Sequence, residues 1–150
     1  MSFSNHLENI TLDCIFGKIW YSPQVLWLGL SRADPLDTGY GMDEPWWVDP
    51  GEPEGEWKVY SSGDPVPPGN SGYMRVVCLI ADWISAYDGM VANAQALTFP
   101  TATKDWGLMT HFALFDEWWM ILHGELSPQQ QVNAGQRPRF NPTKLEIFLS

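Results

Sequence analysis

The segment 106–126, WGLMTHFALFDEWWMILHGEL, constrains the fold more than any other part of the chain. In an extended strand, Leu108, Thr110, Phe112 and Leu114 fall on one side, and Met109, His111, Ala113 and Phe115 on the other. Both sides carry large apolar groups, so both faces of this strand are expected to be at least partly covered. Asp116-Glu117 is turn chemistry, and WWMILHGEL (118–126) reads as the hairpin partner. Such a hairpin needs further strands to bury its faces, and the sequence supplies them. VLWLGL (25–30) is almost wholly apolar and predicts a central strand. YMRVVCLI (73–80), QALTFP (95–100), an edge strand at QQQVNA (129–134) and KLEIFL (144–149) follow, the last with Leu145, Ile147 and Leu149 facing in. SRADPLDTGYG (31–41) is a turn region.

One helix precedes the strands. Phe3, Leu7, Ile10 and Cys14 recur at helical spacing on one face, while His6, Glu8, Asn9 and Asp13 share the other. The pattern predicts a helix over 3–16, with Asn5 and Glu8 as a capping pair and Gly17 as the stop. The expected fold is all-β: a single domain over 1–150, built as an antiparallel two-layer β-sandwich of six or seven strands with one N-terminal α-helix. A long irregular loop, about 43–72, interrupts it.

Composition narrows the function classes. The net charge is −10 with eight Lys and Arg, which leaves no basic face for nucleic acid and disfavours an anionic membrane. No apolar run is long enough to span a bilayer, and MSFSNHLENI lacks the basic start and apolar core of a signal peptide, so synthesis in a host cytoplasm is expected. Cys14 and Cys78 lie in apolar surroundings and read as buried free thiols.

The sequence offers no catalytic constellation. There is no Gly-x-Ser-x-Gly elbow, no Gly-rich phosphate loop ending in Lys and Ser or Thr, no zinc-spaced cysteine pair and no His-Glu-x-x-His. His111, inside an apolar strand, is expected to be a core or half-buried histidine with one hydrogen bond. His123 sits beside Gly124 at an expected strand end. Glu52, Glu54 and Glu56 alternate in the loop, but a Pro- and Gly-rich loop is a poor platform for two carboxyls at fixed separation. The Asp-x-Asp-x-Asp-Gly order of a calcium loop is missing. The expectation is a protein that is not an enzyme and has no cofactor and no metal site.

The loop itself, EPWWVDPGEPEGEW at 44–57, is acidic and rich in tryptophan. Its prolines lower the entropy cost of fixing it. Trp46, Trp47 and Trp57 suit three roles: anchors at a protein interface, a lid over their own domain, or platforms for a sugar ring. With Phe3 and His6 on the helix and Tyr60 in the loop, they are the candidate partner-contact residues.

Several stretches carry a further pattern: MSFSNHLENITLDCIFG, LWLGLSRADP, GYMRV, VAN, LTFPTATKDWGLMTHFALFD, and PRF followed by LEIFLS. Together they resemble a widespread family of small tailed-bacteriophage proteins, encoded among virion structural genes and described as phage tail fibre proteins. TFPTATKDWGLMTHFALFD is the most specific part. In that family Glu44-Pro45 is followed, after a short turn, by the tyrosine and arginine that stand here as Tyr73 and Arg75; here a longer acidic loop intervenes. The resemblance implies a virion structural protein on the particle surface. A short compact chain without coiled coil suits a capsid decoration (cement) protein, clamping the major capsid protein as a homo-oligomer such as a trimer. The alternative is a tail or tail-fibre-associated protein that binds a receptor glycan.

Overall fold

The computed structural model describes residues 2–37, 39, 71–116 and 119–148. Trp46, Trp47, Trp57 and Tyr60 lie outside the described residues, as does Leu149. The architecture is all-β, with a single α-helix among the described residues. The strands are β1 (Ser2–Phe3), β2 (Val25–Ser31), β3 (Val76–Leu79), β4 (Met90–Ala92), β5 (Leu97–Thr98), β6 (Gly107–Phe115), β7 (Met120–Val132), β8 (Arg139–Phe140) and β9 (Glu146–Phe148). Five form one antiparallel sheet in the order β1-β7-β6-β2-β3, and β4-β9 and β5-β8 form two small antiparallel sheets. The sheets do not close into a barrel, as expected of a sandwich.

The two layers meet through one apolar cluster. Leu28 and Leu30 from β2, Phe112 and Leu114 from β6 and Leu122 from β7 pack with Leu97 and Ile147 from the small sheets and with Phe99 and Leu145, which flank them. Trp106 is fully buried at its heart, edge-on to Tyr73 and Phe99, and its Nε1 donates to the Ser71 carbonyl at 2.9 Å. The other face of the large sheet carries a second cluster of Ala113, Phe115 and Met120 with Trp27 against it. Both faces of β6 are therefore covered, as its sequence required.

The alternation along β6 does not run unbroken. Met109 pairs with Gln130 but His111 pairs with Glu125, so Thr110 alone stands opposite residues 126–129 of β7. This irregularity swings Met109 into the main cluster with Phe112 and Leu114, whereas simple alternation put it with Ala113 and Phe115. The same region corrects a second expectation. The stretch 129–134 is no separate edge strand, because β7 continues to Val132 and pairs with β6 as far as Gly107. The Ser127–Pro128 bond within it is cis.

The helix α1 spans Asn5–Ile15, shorter than the expected 3–16. Ser2 and Phe3 are instead β1, paired with His123 and Leu122. Ser4, not Asn5, is the N-cap, its Oγ accepting from the Leu7 amide at 3.2 Å. At the far end the Gly17 and Lys18 amides donate to the Cys14 and Asp13 carbonyls, and Gly17 takes φ +67. That is a left-handed stop that a residue without Cβ enters without strain. Leu7, Ile10 and Cys14 form the half-buried face as expected, and Leu7 reaches the main cluster. The strand expected over 73–80 is cut to β3, because Ile80–Asp82 turns into a short 3-10 helix in which Asp82 Oδ2 accepts from the Leu79 amide at 2.7 Å.

Candidate functional site

A recess of about 470 Å3 opens where the connection after α1 passes the β6–β7 turn. The segment 20–25, Trp27 and Asp116 line it. Asp116 organises this end of the molecule. Its Oδ1 accepts from the Trp119 amide at 2.8 Å and its Oδ2 from the Tyr21 hydroxyl at 2.6 Å. The Asp116 amide donates to the Trp119 carbonyl at 3.0 Å, closing the expected hairpin turn. His6 Nε2 stands 3.7 Å from Asp116 Oδ2, and its ring lies 5.4 Å from that of Trp119. Burial, and then the bond to Asp116, hold the Tyr21 phenol proton well above its ordinary range. Trp20 is 92% exposed and Trp119 59%, whereas Trp27 is half-buried.

A second polar cluster ties the 31–37 turn to β7. His123, expected near a strand end, lies inside β7 and is buried. Its Nδ1 stands 3.3 Å from Asp34 and its Nε2 3.4 Å from Asp37, while the Ser2 hydroxyl donates to Asp37 at 3.0 Å. The two carboxylates meet opposite edges of the ring and do not converge on one point. The serine bonds a carboxylate, not the imidazole, so the order of contacts differs from a nucleophile–base relay. Among the described residues no cluster of three or more His, Cys, Asp or Glu is arranged to hold a metal ion.

The candidate contact residues separate. His6 sits beside Asp116 and Trp119 at the recess, while Phe3 is half-buried in β1 against the main cluster. His111 is half-buried as expected, its Nδ1 2.8 Å from Thr110 Oγ1. Cys78 is a buried free thiol, whereas Cys14 is only half-buried. The recess residues Trp20, Tyr21, Trp27 and Asp116 escaped the sequence reading. Their signal was the aromatic spacing of IWYSPQVLW (19–27), but its link to Asp116 joins residues 95 apart in the sequence.

The motifs of the tail-fibre resemblance prove to be packing and clasp residues. Tyr73 of GYMRV bonds the Leu30 amide at 2.9 Å, and Arg75 stacks 3.5 Å above the Phe115 ring. Asn93 of VAN is fully buried and bonds Gln95, Asn141 and Leu145. Arg137 of the segment leading to PRF donates to the Phe99 carbonyl. The family model of the podophage GP4 fiber I protein gp80 matches residues 54–147, well over half of the chain. The chain belongs to this phage fibre family. Membership makes it a phage structural protein and a component of the virion. The matched span runs from before β3 almost to the end of β9, so it takes in Asp116, Asn93 and Trp106. It leaves out β1, α1 and β2, and with them Trp20, Tyr21 and Trp27. The fibre description agrees with the tail-fibre reading of the sequence more closely than with capsid decoration. Among curated proteins, nothing matches the chain. No helix among the described residues is long and apolar enough to cross a membrane.

Proposed function

We propose that this protein is a tail-fibre-associated structural component of a phage particle, which acts by holding other virion proteins and copies of itself and carries out no chemistry. The observation that carries this reading is the fibre-family match over residues 54–147. The roles of the motif residues support it. Tyr73, Asn93, Phe99 and Trp106 spend their chemistry on packing and internal hydrogen bonds. These residues build a shape, as expected of a part that is assembled. Capsid decoration, with the major capsid protein as partner, was the first expectation from the compact all-β build. The fibre description of the family favours the tail over it.

Electron microscopy of intact particles, with copy number counted against the major capsid protein, tests the proposal. Density for this fold restricted to the tail or its fibres, in few copies, is the expected result. Copies spread over the whole shell in fixed ratio to the capsid protein would replace the fibre reading with decoration.

A further inference from the structure

Trp20 is the most exposed large hydrophobic residue among those described. Leaving a tryptophan in water forgoes the burial of roughly 150–250 Å2. Trp20 does not stand on a flat apolar face, however. It lines a recess with Tyr21 and Trp27, and Ser22, Gln24 and Asp116 supply polar groups at the same place. A volume of about 470 Å3 lies in the range of small-ligand sites, roughly 300–1,000 Å3.

We infer that this groove binds a neutral sugar, a hexose or an N-acetylhexosamine. A pyranose has an apolar C–H face and a rim of hydroxyls, and the groove offers a counterpart to each. The aromatic rings take the C–H face. Gln24 Nε2 donates to the Ser22 carbonyl at 3.1 Å, which orients the amide. Gln24 Oε1 has no protein donor among the described residues and is an acceptor for a sugar hydroxyl. Charge selects within the class. Among the described residues no lysine or arginine lines the groove, and the Asp116 carboxylate does. Tyr21 and the Trp119 amide hold that carboxylate in place, so an acidic sugar meets a fixed like charge. The inference rests on the fibre reading for why a virion protein would meet a sugar. The groove's chemistry is independent of that reading.

Isothermal titration calorimetry on the full chain tests it, using glucose, galactose, mannose and N-acetylglucosamine, with glucuronic acid and choline as contrasting probes. At least one neutral sugar binds saturably, and glucuronic acid and choline do not. Trp20→Ala weakens that binding about tenfold or more, the size of a lost stacked ring. Gln24→Ala weakens it to a smaller degree. Both side chains are exposed, so both variants keep the wild-type unfolding midpoint. Flat titrations with all four sugars would overturn the inference, as would binding unchanged in both variants. Binding of glucuronic acid or choline instead would overturn it too. Flat titrations combined with a change in sedimentation on Trp20→Ala would assign the groove to a protein partner. A tail location with flat titrations sinks this inference alone, and a shell location with sugar binding sinks only the fibre reading.

Discussion

Trp106 shows how a single side chain joins the two layers of the molecule. Its ring is fully buried between Tyr73 and Phe99, and its one polar atom finds the Ser71 carbonyl, which also accepts from the Thr103 amide. Truncation removes the ring, leaves a cavity and costs the hydrogen bond. Trp106→Ala is expected to lower stability by about 3–5 kcal/mol, read from urea unfolding. Cys78 gives a prediction in pH. Burial foremost, and then the Asp82 charge, push its thiol up to about 12 from an ordinary 9.0. The unfolded chain releases this proton near pH 9, while the folded chain keeps it. Stability from this group is therefore complete below pH 9 and drains away as pH rises towards about 12. Between about pH 8 and about pH 10.5 the wild type should lose more stability than Cys78→Ala. Equal losses would show that burial does not hold the proton. Tyr21, also held protonated, acts in the same direction in both proteins and cancels in the comparison.

Among elements, the smallest sheets depend on the most specific contacts. β4 and β9 pair over three residues, too few to hold together by backbone bonds alone. Asn93 reinforces them. Its Nδ2 donates to the Gln95 and Asn141 carbonyls, its Oδ1 accepts from the Leu145 amide, and its own amide donates to the Leu145 carbonyl. Asn93→Ala strands the buried Leu145 amide and two part-buried carbonyls and is expected to cost about 2–4 kcal/mol. Asn93→Asp keeps the acceptor but loses the donor pair, so it should not rescue the loss; the unfolding midpoints of both variants decide this. The same scale explains what could be read beforehand. β2 and β6 were legible because apolar runs dictate burial whatever the register. The burial of Met109 was not, since it depends on residues 126–129 standing opposite Thr110. The helix cap was misplaced by one residue, because Ser4 and Asn5 are both good caps and only the pairing of β1 chooses between them. Asn93 could be read as part of a family pattern but not as a clasp, because its partners are 48 and 52 residues away.

For the whole molecule, the fold was legible and the recess was not. Alternation and turn chemistry report on a strand and its neighbours, whereas the recess joins Trp20 and Tyr21 to Asp116, 95 residues beyond Tyr21. Assembly belongs to this scale as well. A fibre-associated part with few positive groups and a net charge of −10 repels its own copies at low salt. If it assembles with itself as proposed, light scattering should give a mass above the monomer, with a larger oligomeric fraction as salt is raised. A monomer at every salt concentration would remove self-association from the proposal.

The pairing of Ser2 with His123 and Phe3 with Leu122 has a consequence for how the protein is made. β1 leaves the ribosome before the other strands of the large sheet, and among the described residues its partner in that sheet is β7, which emerges last of them. Until then Ser2 and Phe3 have no ladder to join, and the Ser4 amide lacks its Ile121 acceptor. The large sheet therefore closes after most of the chain has been translated, with its longest-range contact formed late and at high loop-closure cost. A peptide tag fused before Ser2 would sit at the point of that closure. The same tag on the C-terminal side would leave it unhindered, and the yields of soluble protein from the two fusions should differ accordingly.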